Sequence, residues 1–140
     1  MLTRTGHFVL VAIWFLFAGG AVHAQLTGNI TSLVPAQNAT STSPVTLESI
    51  GDVNNNTGVQ VTVKHKLAVS RFNPVTELWE EVHLVEGTST INAWGSITGW
   101  TVNGSVTASP GLYLVTGALI QPLTKNMNIL AIETHYFTVN

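Results

Sequence analysis

Cysteine is absent from all 140 residues. No disulfide can staple the chain, no thiolate can hold a metal or attack a substrate, and no lipid can be attached through an N-terminal cysteine. Small exported eukaryotic domains often depend on disulfides, so a Cys-free exported chain fits a bacterial or archaeal source. Charge is scarce as well, at 9% of residues. Beyond residue 24 the basic residues are Lys64, Lys66, Arg71 and Lys125. They face seven acids, which leaves a net charge near −3. A nucleic-acid partner needs a basic stripe, and an anionic membrane surface needs a polybasic segment; neither is present. Helical periodicity is missing too. No segment keeps a 3.6-residue apolar repeat between caps.

One long apolar run does occur. Phe8–Ala18, "FVLVAIWFLFA", is unbroken and follows a short head with Arg4 and no acid. "GGAVHA" comes next, with Val22 and Ala24 at the small-residue positions that precede a cut. This is the layout of a secretory signal peptide, and the run is short of the roughly 20 residues that span a bilayer. The expected division is a signal peptide over 1–24 with cleavage before Gln25, a polar strand or arm over 25–44, and one β-sandwich over 45–140. The expected location is secreted or periplasmic, with no stable membrane anchor after cleavage. Four Asn-x-Ser/Thr sequons, at Asn29, Asn38, Asn55 and Asn103, matter only in a host that glycosylates asparagine.

Beyond residue 25 the pattern is that of strands. In "VQVTVKHKLAV", Val59, Val61, Val63, His65, Leu67 and Val69 share one face, and Gln60, Thr62, Lys64 and Lys66 the other. Strict period two marks a half-buried strand. "TELWEEVHLVEG" sets Leu78, Val82 and Leu84 against Trp79, Glu81 and His83. "LTGNITSLVP" places Leu26, Ile30 and Val34 on one parity. "NATSTSP" and "NGSVTASPG" read as loops and "NNNTG" as a turn. About seven strands between Gly, Pro and Asn clusters predict an all-β, immunoglobulin-like antiparallel sandwich. The expected core is Val61, Val63, Leu67, Trp100, Tyr113, Val115 and Phe137.

"SPGLYLVTGAL" resembles the penultimate strand of bacterial immunoglobulin-like domains, with a Pro-Gly turn followed by inward Tyr113 and Val115. "HYFTV" resembles their last strand, and "GWTV" the strand before the turn. The likeness covers about the last forty residues. It is similar in this respect to cell-adhesion-related modules and to the intracellular proteinase inhibitor family. The resemblance implies an architecture that hosts many functions.

Candidate chemistry is thin. His65, His83 and His135 could suit copper or zinc, with Met127 as a soft ligand, yet no two lie within four residues of each other. A hydrogen-bonded core histidine is the plainer reading of His65, and His83 has the outer parity beside glutamates. Glu77, Glu80, Glu81 and Glu86 flank Trp79, but Glu77 and Glu81 would stand about 13 Å apart on a strand, too far for a glycosidase pair. No Gly-x-Ser-x-Gly elbow and no phosphate loop occur. The expectation is no catalytic, metal or cofactor site.

"LYLVTGALI" poses the sharper question. Tyr113, Val115 and Leu119 share one parity, while Leu112, Leu114, Ala118 and Ile120 make the other parity apolar too. The second face needs a cover. The expected interface is Leu112, Leu114, Ala118 and Ile120, covered by Leu26, Ile30 and Val34 of the arm or by another molecule. The expected function is a non-catalytic module for protein binding, adhesion or self-assembly, with a protein partner or a homo-oligomer. Two alternatives stand beside it. One is a protease inhibitor offering "NPVTE" or "VNGSVTASP". The other is a small periplasmic metal-binding protein using the three histidines.

Overall fold

Alternating valines, leucines and polar residues give long extended segments that must bury one side each. The computed structural model describes residues 25–140. The expected signal peptide, 1–24, lies outside the described residues. Eight strands run in order: β1 (Leu26–Val34), β2 (Ala39–Ser41), β3 (Val45–Asn55), β4 (Val61–Asn73), β5 (Leu78–Ile91), β6 (Ser96–Val106), β7 (Gly111–Pro122) and β8 (Met127–Val139). They form two sheets, β1-β3-β6 and β2-β8-β7-β4-β5. Every pairing is antiparallel except β2 with β8, where Ala39 lies beside Phe137. The protein is an immunoglobulin-like antiparallel β-sandwich.

The inner faces meet in one core. β3 supplies Val45, Leu47 and Val53, β4 supplies Val63, Leu67 and Val69, and β7 supplies Tyr113, Val115 and Leu119, all buried with Phe137 and Val139 of β8. Tyr113 and Phe137 stack with centroids 5.5 Å apart. The Tyr113 hydroxyl donates to the Ser109 carbonyl at 2.7 Å. That bond is the tyrosine corner of immunoglobulin-like sandwiches, which fixes the turn into this strand. It explains why a phenol is tolerated deep in the core: its one polar atom is satisfied.

Several expectations need correction. Trp100 is half-buried, packed against the core from the open side between the edge strands β5 and β6. Gly87 across from it makes room: a Cβ there would lie 3.4 Å from the indole. Val59 precedes β4 and is exposed, so the core parity begins only at Val61. The "NATSTSP" stretch contains the short strand β2. The first four residues of "NGSVTASPG" belong to β6, which runs to Val106 because β3 pairs with it from Val45 to Asn54.

The arm is a full strand of the sandwich. A bulge between Ile30 and Ser32 inserts one residue, so the inward positions are Ile30 and then Leu33, both buried, and not Val34. Gly28 passes directly beneath Leu119 and Leu130, where a Cβ would come within 2.9 Å of the Leu130 side chain. Leu26 and Ile30 therefore pack against the inner side of the five-stranded sheet. They do not reach its outer side. No helix among the described residues is long and apolar enough to cross a membrane.

Candidate functional site

The second face of β7 lies on the outside of the five-stranded sheet, and register assembles its surroundings. Ser70 and Leu114 are paired, as are Leu114 and Tyr136, so Tyr136 stands beside Leu114 on the outer side. Ala118 lies between Lys66 and Ile132, and Ile120 between Lys64 and Ile129. On the far side of β4, Ala68 pairs with Leu84 and Phe72 with Trp79. The outer face thus carries apolar groups from four strands around a middle row in which the hydroxyls of Thr116 and Thr134 meet at 3.3 Å.

Its two ends differ. At one end Phe72 and Trp79 meet with centroids 5.3 Å apart, and Trp79 and Tyr136 at 5.8 Å. Leu112 and Leu114 continue this aromatic end, with Glu81 on the same side at its rim. At the other end Ala118 and Ile120 are only 7% and 9% exposed. Their flanking partners explain this: lysine stems of β4 on one side and isoleucines of β8 on the other can lie over their neighbours while the ammonium groups stay wet. Lys64 and Lys66 both reach Glu86, each at 3.8 Å. In contrast, Ile132 is 61% and Tyr136 45% exposed, with Leu84 and Leu112 also exposed.

Of the expected interface residues, Leu112, Leu114, Ala118 and Ile120 come together on this face. Leu26, Ile30 and Val34 are on the opposite sheet. Phe72, Trp79, Leu84, Ile132 and Tyr136 belong to the face and escaped the sequence reading. Trp79 and Leu84 have opposite parity in the sequence. A bulge leaves Val82 unpaired between His83 and Glu81, and that extra residue turns both to the same side.

The histidines do not converge. His135, Val115, Val69 and His83 occupy one register row, three strand spacings of about 4.8 Å from end to end, or about 14 Å. His83 faces inward at the sheet edge, beside Gly104, and not outward among glutamates, because of the same bulge. His135 is engaged by the Pro35 carbonyl at 2.9 Å and Glu133 at 3.1 Å. Among the described residues no group of three His, Asp or Glu side chains is placed to hold an ion.

His65 is fully buried, with Nε2 2.8 Å from Ser49 Oγ, so the bond joins the two sheets. Its ring meets Trp100 edge-on at 5.2 Å. Nδ1 has no hydrogen-bond partner. Burial pushes the imidazole below the ordinary histidine value, and the nearby backbone of Trp100 opposes this more weakly. A serine beside a histidine suggests a nucleophile, but both side chains are sealed in the core, where no substrate can reach them.

The two inhibitor loops are short and braced. Asn73 Oδ1 accepts from the backbone of Val75 at 3.0 Å and of Thr76 at 3.3 Å, which holds "NPVTE" as a tight hairpin turn. "VNGSVTASP" is strand up to Val106. At the opposite end of the sandwich Trp94 is 69% exposed with φ of 60°. Its loop is held by buried Asn55, whose amide donates to the carbonyls of Val59 at 2.8 Å and Asn92 at 2.9 Å. A glycan on Asn55 would break that anchor.

No family model matches the chain, and no curated protein matches it. Solved structures do. A Bacteroides uniformis beta-glucuronidase aligns with a TM-score of 0.50 and 16% identity over 81% of this chain and 13% of its own. A Listeria innocua beta-glucosidase in complex with gluconolactone aligns with a TM-score of 0.51 and 10% identity over 84% of this chain and 16% of its own. The chain thus spans about one-sixth or less of these enzymes. At such identities the likeness carries the sandwich fold and nothing of their activities.

Proposed function

We propose that this chain is an exported, non-catalytic β-sandwich module that binds protein through the outer face of its five-stranded sheet. One observation carries the reading. Aromatic and branched side chains from four strands gather on the outer surface around the paired Thr116 and Thr134, at a place where a sandwich ordinarily presents polar residues to water. The partial alignment with large enzymes supports a module without chemistry of its own. The signal-like N-terminus supports export.

Footprinting tests the binding. Hydroxyl-radical labelling of Trp79, Leu84, Ile132 and Tyr136 is compared between producing cells and the purified protein at nanomolar concentration. Protection in cells is expected. Equal labelling in both overturns the reading. For export, N-terminal mass analysis should give Gln25, and a retained Met1 overturns that part.

A further inference from the structure

Resting on that reading of the outer face, we infer that its occupant is a second copy of the same chain, related by a twofold axis that lies between the two faces and runs across the strands. The face is polar along the strand direction. Lys64 and Lys66 stand at one end, and Glu81 stands at the other, four residues further along β4 by register. Glu80 pairs with Arg71 on the other side of the sheet and is held by Asn73 at 2.9 Å, so Glu81 is the acid that this end of β5 offers to the outer face. Glu86 offsets one lysine charge, so the lysine end keeps a positive surplus.

A twofold axis across the strands turns one copy end for end while leaving β4 over β4 and β5 over β5. The lysine end of each copy then meets the glutamate end of the other. An axis along the strands would instead set the lysines over the aliphatic end of β7 and β8, with no acid to meet them. Charge therefore selects between the two symmetric arrangements. An isologous contact of this kind uses each complementary pair twice and closes on itself.

The apolar residues agree with the same arrangement. Phe72, Trp79 and Tyr136 project at one end, and the flatter row of Ala118 and Ile120 lies at the other. End-for-end packing sets Leu112, Leu114 and Tyr136 of each copy over Ile120, Ala118 and Ile132 of its partner, and Phe72 over the stem of Lys64. Four strands about 4.8 Å apart and eight residues of about 3.3 Å give a face of about 500 Å² per copy. The total of about 1,000 Å² meets the lower bound of a specific interface and falls in the class of weak, reversible contacts.

Sedimentation of the protein from 1 to 200 µM tests the inference. A monomer–dimer equilibrium is expected. Lys66→Glu and Glu81→Lys should each weaken it about tenfold, since each reversal enters the interface twice. The combination Lys66→Glu with Glu81→Lys should restore it. Ile132→Lys, at an exposed position that leaves the fold intact, should abolish it. A monomer throughout that range overturns the second copy as occupant; if the footprint in cells persists, the binding face itself stands. A dimer untouched by Ile132→Lys overturns both. A dimer weakened by each reversal but not restored by the pair overturns the twofold arrangement. Unchanged melting temperatures separate these effects from misfolding.

Discussion

Phe137 and Tyr136 are adjacent in β8, yet they belong to different worlds. Phe137 is 1% exposed and stacks on Tyr113 between the sheets, whereas Tyr136 is 45% exposed and leans on Trp79 outside them. The same contrast runs along β7, with Tyr113, Val115 and Leu119 inside and Leu112 and Leu114 outside. Both sides are apolar, so hydrophobicity alone does not say which side holds the fold. The inner side is covered by the chain's own second sheet, and the outer side is free for something else.

Substitutions should separate the two sides. The largest effect is expected from Phe137→Ala, about 3–5 kcal/mol of stability lost, against well under 1 kcal/mol for Tyr136→Ala in dilute protein. Urea unfolding measures both, and comparable losses would erase the distinction. Gly117→Ala comes next, at about 1–3 kcal/mol. A Cβ there would stand 2.5 Å from Ser49 Oγ and 3.2 Å from the Leu33 side chain, so the core must shift. An unchanged melting temperature would mean that the sheets can part locally without loss.

The inner side should also respond to pH. Because burial lowers the folded-state pKa of His65, the unfolded chain binds the proton more readily. Stability is full above the unfolded value of about 6.5 and falls as pH drops from there towards the folded value. His65→Gln should flatten this slope in urea titrations between pH 7 and pH 5, and a slope that survives must arise from other groups. Tyr113→Phe is the smallest change, removing only the bond to Ser109, at about 1 kcal/mol. Calorimetry resolves it, and no shift would mean that the corner is held by packing alone.

Much of the fold was legible in the sequence, for a physical reason. Val61, Val63, Leu67 and Val69 alternate without interruption, so parity leads straight to burial. The outer face was half legible. Leu112, Leu114, Ala118 and Ile120 announced it within one segment, but Phe72, Trp79 and Tyr136 join it only through the pairing of β4, β5 and β8. Bulges at Ile30/Ser32 and at Val69/Ser70 reverse parity without leaving a mark in composition. That is why Val34 was placed on the same side as Ile30, and His83 outward. Trp100 was misplaced for a related reason: its depth is set by Gly87 across the gap. The run of β6 through Asn103, Gly104 and Ser105, weak strand formers all, is imposed by β3.

The parallel pairing of Ala39 with Phe137 ties β2 to β8, a strand far along the chain. Next to β8 in the same sheet stands β7, whose other neighbour is β4. Most of the strand contacts that define the sandwich join residues far apart along the chain. Loop closure must therefore precede the burial that stabilises it, and folding belongs on the millisecond-to-second scale of β-sandwiches. A chain emerging from the ribosome has no central strand in its larger sheet until residues beyond 111 appear, and no closed sheet until β8 follows. Until β8 has been made, the inner face of β7 has no strand on one side and the core residues Phe137 and Val139 are missing, so the sandwich cannot close over its centre.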